Sequence, residues 1–131
     1  MLGDQIGEET GKVTGFRVLD AAGPKVEVSF QSKGKILGND YEGRASYWSE
    51  MQPGGFLYGE GQGMYMTPGG TAVWKGHGSG RLKAGGGASY RGAIHFTNAN
   101  GSLAKLAGMV GVFEHETDAN DNVVSKLWEW K

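Results

Sequence analysis

Three groups of side chains in this 131-residue chain have the types and spacing that chemistry requires. The first is histidine: under the strand pairing derived below, His77 and His95 are lateral neighbours on a polar face, with Glu60 opposite His77 and His115 further round. Imidazoles beside a carboxylate suit a metal ion, but a zinc site needs three or four converging ligands. In "EHE" at 114–116, adjacent strand residues point to opposite faces, so the run adds little and no metal site is assigned. The second group is Glu114, which the expected parity sets on the apolar face opposite Lys126. A carboxylate buried without a partner has a raised pKa that suits proton transfer, whereas an ion pair at a rim is the simpler account. The third is an aromatic set comprising Tyr47, Trp48, Tyr58, Tyr65, Trp74, Tyr90, Trp128 and Trp130, dense enough to line a small-molecule pocket or to fill a core.

Other chemistries lack their parts. The chain has no cysteine, which removes disulfides, thiolate metal sites and cysteine nucleophiles, and fits a reducing, cytoplasmic setting. "GSG" at 78–80 has no strand-to-helix elbow to expose a nucleophile, and no serine, histidine and acid can be ordered into a hydrolytic set. "YGEGQGMYM" at 58–66 invites a phosphate-binding reading. Met64 stands where a dinucleotide fingerprint needs its third glycine, and no helical pattern follows.

The elements that must position these groups are strands. In "KVEVSFQ" at 25–31, Val26, Val28 and Phe30 alternate with Glu27, Ser29 and Gln31, the period of a half-buried strand. Comparable segments recur at about 12–18, 41–50, 56–66, 71–82, 88–97, 104–116 and 123–131, separated by turn-forming clusters such as "QPGG", "TPGG" and "KAGGG". No window shows helical periodicity. The expectation is an all-β fold, a single eight-stranded antiparallel up-and-down barrel over residues 12–131, with a two-sheet sandwich as the alternative. Residues 1–11 carry no strand pattern and are expected to form a flexible segment outside it.

A hairpin at "TPGG" sets Gly63 opposite Trp74, Gly61 opposite Gly76 and Gly59 opposite Gly78 on the apolar face. Strand glycines there relieve crowding in a tightly curled barrel or leave room for a ligand. Continuing the parity pairs Gly78 with Ile94 and Gly76 with Phe96, then carries Leu106, Gly108, Val110, Val112, Trp128 and Trp130 inward. Either Ala45 and Tyr47 or Ser46 and Trp48 face inward on the preceding strand. The candidate cavity lining is therefore Tyr65, Trp74, Tyr90, Phe96, Glu114 and Trp128.

Composition bounds the partners. Thirteen basic and 14 acidic residues leave a net charge of -1, without the electrostatic footprint of nucleic-acid or anionic-membrane binders. "MLGDQIGEETGK" lacks a basic start followed by an apolar stretch, so no signal peptide is expected, and the longest apolar run, "LAGMVGVF", falls far short of a membrane helix. No cofactor is expected.

The run "YEGRASYWSEMQPGGFLYGEGQGMYMTPGGTAVWKGHGSGRL", with "YRGAIHF", "LAKLAGMVGVFEHE" and "KLWEWK", resembles small bacterial proteins of unknown function grouped with the allene oxide cyclase-like barrels. The resemblance covers roughly residues 12–131 and implies a calycin-like eight-stranded barrel. It also implies a homo-oligomer and, as in some relatives, an interior that binds or cyclises an apolar substrate. No catalytic residue of the plant cyclases maps onto this sequence. Two functions follow as expectations: a barrel that binds or isomerises a small apolar molecule, and a non-catalytic oligomeric module whose barrel is filled by its own side chains. An interior of at least ~300 Å³ would favour the first.

Overall fold

Alternating residues joined by glycine- and proline-containing turns give eight strands connected in sequence by short links. A computed structural model describes all 131 residues. The strands are β1 (Leu2–Asp20), β2 (Lys25–Ile36), β3 (Asn39–Met51), β4 (Leu57–Thr67), β5 (Gly70–Leu82), β6 (Ala88–Ala99), β7 (Val110–Thr117) and β8 (Asn122–Trp130). Each pairs antiparallel with its neighbour in the chain, and β8 returns to β1, closing the up-and-down barrel and removing the sandwich alternative. The two-residue β2–β3 hairpin turns on Leu37 and Gly38 at φ 48° and 80°. That geometry matches the twist of the flanking strands, and glycine takes its second position without steric cost. No helix is long and apolar enough to cross a membrane.

The β4–β5 register is as expected, with Gly63 opposite Trp74, Gly61 opposite Gly76 and Gly59 opposite Gly78. β3 resolves toward its first alternative: Ala45 is buried inward and Tyr47 lines the interior, while Trp48 lies on the outer face. The β5–β6 register differs by two residues, with Gly76 opposite Ile94 and Trp74 opposite Phe96. A two-residue slide preserves side-chain parity, so Tyr90, Ile94 and Phe96 still point inward.

Two expectations are corrected. Residues 104–109 do not extend a strand; Gly101–Leu106 form a 3₁₀ helix whose Leu103 and Leu106 are completely buried, and β7 starts only at Val110. The helical turn changes the parity, so β7 directs Gly111, Phe113 and His115 inward instead of Val110, Val112 and Glu114. The opposition of Glu114 to Lys126 and of Val112 to Trp128 is as expected, but on the outer face. Trp128 and Trp130 therefore point away from the interior, where Val123, Ser125 and Leu127 point instead.

The second correction concerns the N-terminal boundary. β1 begins at Leu2, and Leu2–Lys12 pair with β8 to close the barrel, so residues 1–11 belong to the wall. Their inward residues, Gly7, Glu9 and Gly11, alternate with period two but are not apolar, which hides the strand from a hydrophobic pattern. β1 also outruns β8: pairing with β8 ends at Lys12, whereas pairing with β2 continues to Asp20, interrupted by bulges at Thr14 and Leu19.

One end of the barrel is sealed by the 3₁₀ helix, whose leucines pack with Ile36, Tyr41, Tyr65, Ala72 and Phe96 in the largest core cluster. Leu57, Ala88 and Tyr90 form a smaller cluster toward the other end, and Phe30, Ala45 and Val123 a third.

Candidate functional site

On one side of the interior the wall is almost bare backbone. β4 and β5 direct Gly59, Gly61, Gly63, Gly76, Gly78 and Gly80 inward, and neighbouring aromatic side chains occupy much of the space this leaves. A methyl group at Gly63 would lie 2.5 Å from the Trp74 indole, one at Gly61 2.8 Å from Tyr47 Cβ, and one at Gly80 2.5 Å from the Tyr90 ring. Gly63 and Gly80 are thus seats for rings, whereas Gly59, Gly76 and Gly78 lie close against the carbonyl oxygens of neighbouring strands. What remains open is an interior cavity of about 90 Å³.

The opposite side of the same cavity is polar. Register sets Tyr41 on β3, Gly34 on β2, Glu9 on β1, Ser125 on β8, His115 on β7 and Tyr90 on β6 successively opposite one another, a row crossing six strands. Gly34 matters here because a Cβ would lie 2.8 Å from Glu9 Cα; without one, Tyr41 reaches across and its hydroxyl donates to Glu9 Oε1 at 2.6 Å. Ser32 Oγ donates to the same oxygen at 3.0 Å. His115 Nδ1 and Ser125 Oγ share a hydrogen bond of 2.6 Å. At the end of the row, Tyr90 and Ser49 hydroxyls are hydrogen-bonded at 2.8 Å across the barrel from β6 to β3.

His115 stands in an aromatic cage, 5.1 Å from the Phe30 ring and 5.6 Å from Tyr47 between centroids. Burial pushes its pKa down to about 4, against a smaller upward pull from Glu116, so the imidazole is neutral at pH 7. Its Nε2 is buried and has no hydrogen-bond partner in the protein. For Glu9, burial raises the pKa above the usual carboxylate value, partly offset by hydrogen bonds from Tyr41, Ser32 and Ser125. Burial likewise raises Tyr41, Tyr47, Tyr65 and Tyr90, so their hydroxyls stay protonated. The interior therefore holds neutral hydroxyls, one carboxyl group with a raised affinity for protons and one imidazole with a lowered one.

Of the residues named from sequence, Tyr65, Trp74 and Tyr90 line the cavity. Phe96 is inward but fully buried in the sealed end, its ring 5.9 Å from Tyr65. Glu114 and Trp128 are on the outside, where Glu114 meets Arg91 at 3.8 Å and Trp128 lies opposite Val112. Sequence reasoning missed Glu9, Tyr41 and Ser125, and named His115 only among the histidines of the polar face. A signal was present in "FEHET", where Phe113, His115 and Thr117 alternate with two glutamates and so share the face opposite them.

The outer histidines are separate from this site. His77 lies opposite Glu60 as expected, and His95 is one pair displaced, opposite Lys75. Beside them Trp48 and Tyr58 pack edge-on at 5.6 Å, with Lys25 Nζ 4.4 Å above the Trp48 ring. No family model, curated protein or solved structure was found to match this chain.

Proposed function

We propose that the barrel interior binds one compact, largely apolar molecule carrying a single polar group that completes the hydrogen bonding of His115 Nε2. The observation that carries this reading is the buried, partnerless Nε2 of His115, a residue that lines a cavity whose remaining surface is mainly aromatic rings and glycine backbone. A buried polar atom left unpaired costs ~1–3 kcal/mol, and a ligand that pairs it recovers that cost. The cavity of about 90 Å³ sets the scale: an apolar cavity of ~150 Å³ accepts benzene, so a single small ring is the upper limit here. The absence of any inward lysine or arginine beside Glu9 argues for a neutral ligand over a carboxylate. A closed up-and-down barrel is the topology that the resemblance to the allene oxide cyclase-like barrels implies.

The test combines space with chemistry. Xenon NMR reports whether the cavity admits a guest, and titration with pyrrole or cyclopentanone, followed through the ¹⁵N resonances of His115, reports whether a polar group docks. Saturable shifts that vanish in His115→Phe are expected. Exclusion of both xenon and the rings would sink this reading in favour of the side-chain-filled module, which the volume well below ~300 Å³ favours.

Self-association belongs to the same proposal. Val112 and Trp128 face outward side by side, Val124 and Trp130 are 45% and 58% exposed, and a net charge of -1 opposes pairing of copies only weakly. A second copy is the proposed cover for this stripe. Sedimentation as a strict monomer at micromolar concentration would remove it.

A further inference from the structure

The two ends of the cavity are closed by different means. At the sealed end, Leu103 and Leu106 of the 3₁₀ helix are completely buried against Ile36, Tyr41 and Phe96. The far end carries only the turns at 21–24, 52–56, 83–87 and 118–121, and its lip is apolar and exposed. Phe16 and Val18 lie on the inner side of the β1–β2 ribbon, opposite Val28 and Val26, and Leu82 ends the inward series of β5 opposite Ala88.

Between this mouth and the cavity stands a layer of four rings. Phe30, Tyr47, Tyr90 and His115 form a closed circuit whose successive centroids are 6.3, 5.6, 6.1 and 5.1 Å apart, and all four line the cavity. Strand direction fixes their place along the barrel. β3 runs from Tyr41 in the sealed-end cluster through Tyr47 to Ser49 and Met51 beside the turn at 52–56. β6 runs the other way, from Ala88 beside the turn at 83–87 through Tyr90 to Phe96 in the sealed end.

One contact in the layer differs in kind. The Tyr90 and Ser49 hydroxyls, both on buried residues, meet at 2.8 Å across the lumen from β6 to β3. Ring contacts tolerate many orientations, whereas a hydrogen bond requires one geometry, so this bond holds Tyr90 across the opening. On its other side the ring rests on Gly80, where a Cβ would stand 2.5 Å away. Bare backbone there leaves no side chain to move aside when the ring turns. Ser49 is not among the residues that line the cavity.

We propose that Tyr90 is the gate through which a ligand reaches the cavity from the turn-bearing end, and that its hydrogen bond to Ser49 is the latch. A guest passes when the latch parts and the ring turns off Gly80; Phe16, Val18 and Leu82 are the apolar surface it meets first. Entry at the sealed end would require unseating two completely buried leucines together with their helix. The gate rests on the ligand-binding reading above and governs rate, because a latch outside the lining is made whether the cavity is empty or filled.

Xenon exchange on the intact chain, followed by ¹²⁹Xe saturation-transfer NMR, tests the gate, with Ser49→Ala removing the latch and sparing the lining. Loss of one buried hydrogen bond changes an opening equilibrium by roughly threefold to tenfold, so entry and exit should both accelerate by that factor while Kd is unchanged. Tyr90→Phe should also accelerate exchange, and it decides the matter if Ser49→Ala does not fold. Ile36→Val is the matched control: it costs a comparable amount of stability at the sealed end and should leave exchange as in the wild type. Xenon that binds but exchanges at the wild-type rate in both latch variants overturns the gate and leaves ligand binding intact, as does equal acceleration by Ile36→Val. Exclusion of xenon and cyclopentanone from the wild type and both latch variants overturns the gate and the binding reading together.

Discussion

The glycine wall of β4 and β5 and the polar row crossing β1, β8 and β7 face each other across one small cavity, yet they are built on opposite rules. The first omits side chains so that rings from other strands can lie against backbone; Gly63 under Trp74 is the clearest case. The second places hydrogen-bonding side chains where a barrel of this size would ordinarily put aliphatic ones, and satisfies all of them except His115 Nε2. Shape comes from the glycines and chemistry from the row. A barrel can shrink its interior without losing polar function if the space is recovered on the far wall.

Deleting residues 1–8 is the most severe way to break this contrast. It removes much of the β1–β8 pairing that closes the barrel and leaves Glu9 at a new chain end, so cooperative thermal unfolding followed by circular dichroism should disappear. A truncated chain that still melts cooperatively near the full-length midpoint would show that closure is dispensable.

Phe96→Ala should cost ~3–5 kcal/mol in denaturant unfolding, because the ring is fully buried against Tyr65 and the sealing leucines. Gly63→Val should cost ~1–3 kcal/mol by overpacking against the Trp74 indole. A neutral result there would mean that the wall is not the tight side.

The row should reveal itself through pH. His115 has a folded pKa near 4 against ~6.5 unfolded, so as pH falls from 6.5 toward 4 the unfolded chain gains a proton that the native protein does not. Native stability should decline through that window by up to ~3 kcal/mol, and His115→Phe should flatten the decline. Glu9, raised in the folded state, acts in the opposite sense: its favourable contribution is greatest below the unfolded carboxylate pKa and is lost as pH rises through the folded one. An acid limb unchanged by His115→Phe would show that the imidazole is not held neutral by burial. The smallest effect is expected outside, where Trp130→Ala should stay within ~0.5 kcal/mol for the monomer.

The two sides also differ in how legible they are. Glycines at 59, 61, 63, 76, 78 and 80 announce a strand period directly, and a wrong offset of two between β5 and β6 did no harm because parity survived. The polar row is obscured twice. "NGSLAKLAG" carries two leucines three residues apart in a stretch too short for a helical period to declare itself, and its 3₁₀ turn shifts every later residue to the other face. Glu9 sits in "GEETGK", a polar run whose alternation contains no apolar residue to mark the inside. Tyr65, Trp74 and Tyr90 could therefore be found from pattern and His115 only from the short alternation in "FEHET", while Glu9 emerges only in the folded barrel.

The overhang of β1 past β8 has a further consequence for behaviour at high concentration. From Thr14 to Asp20 one edge of β1 lies beyond its barrel partner, with Phe16 and Val18 exposed, a template that another chain's backbone could extend. The extra residues Thr14 and Leu19 break the regular spacing of amide and carbonyl groups along this stretch, and Arg17, ion-paired with Glu27 at 3.4 Å, adds a charge. Bulges on a free edge act as guards against polymerisation, because an incoming strand finds no long straight ladder to copy. The irregularity of β1 thus protects the closed barrel from growing into a fibre.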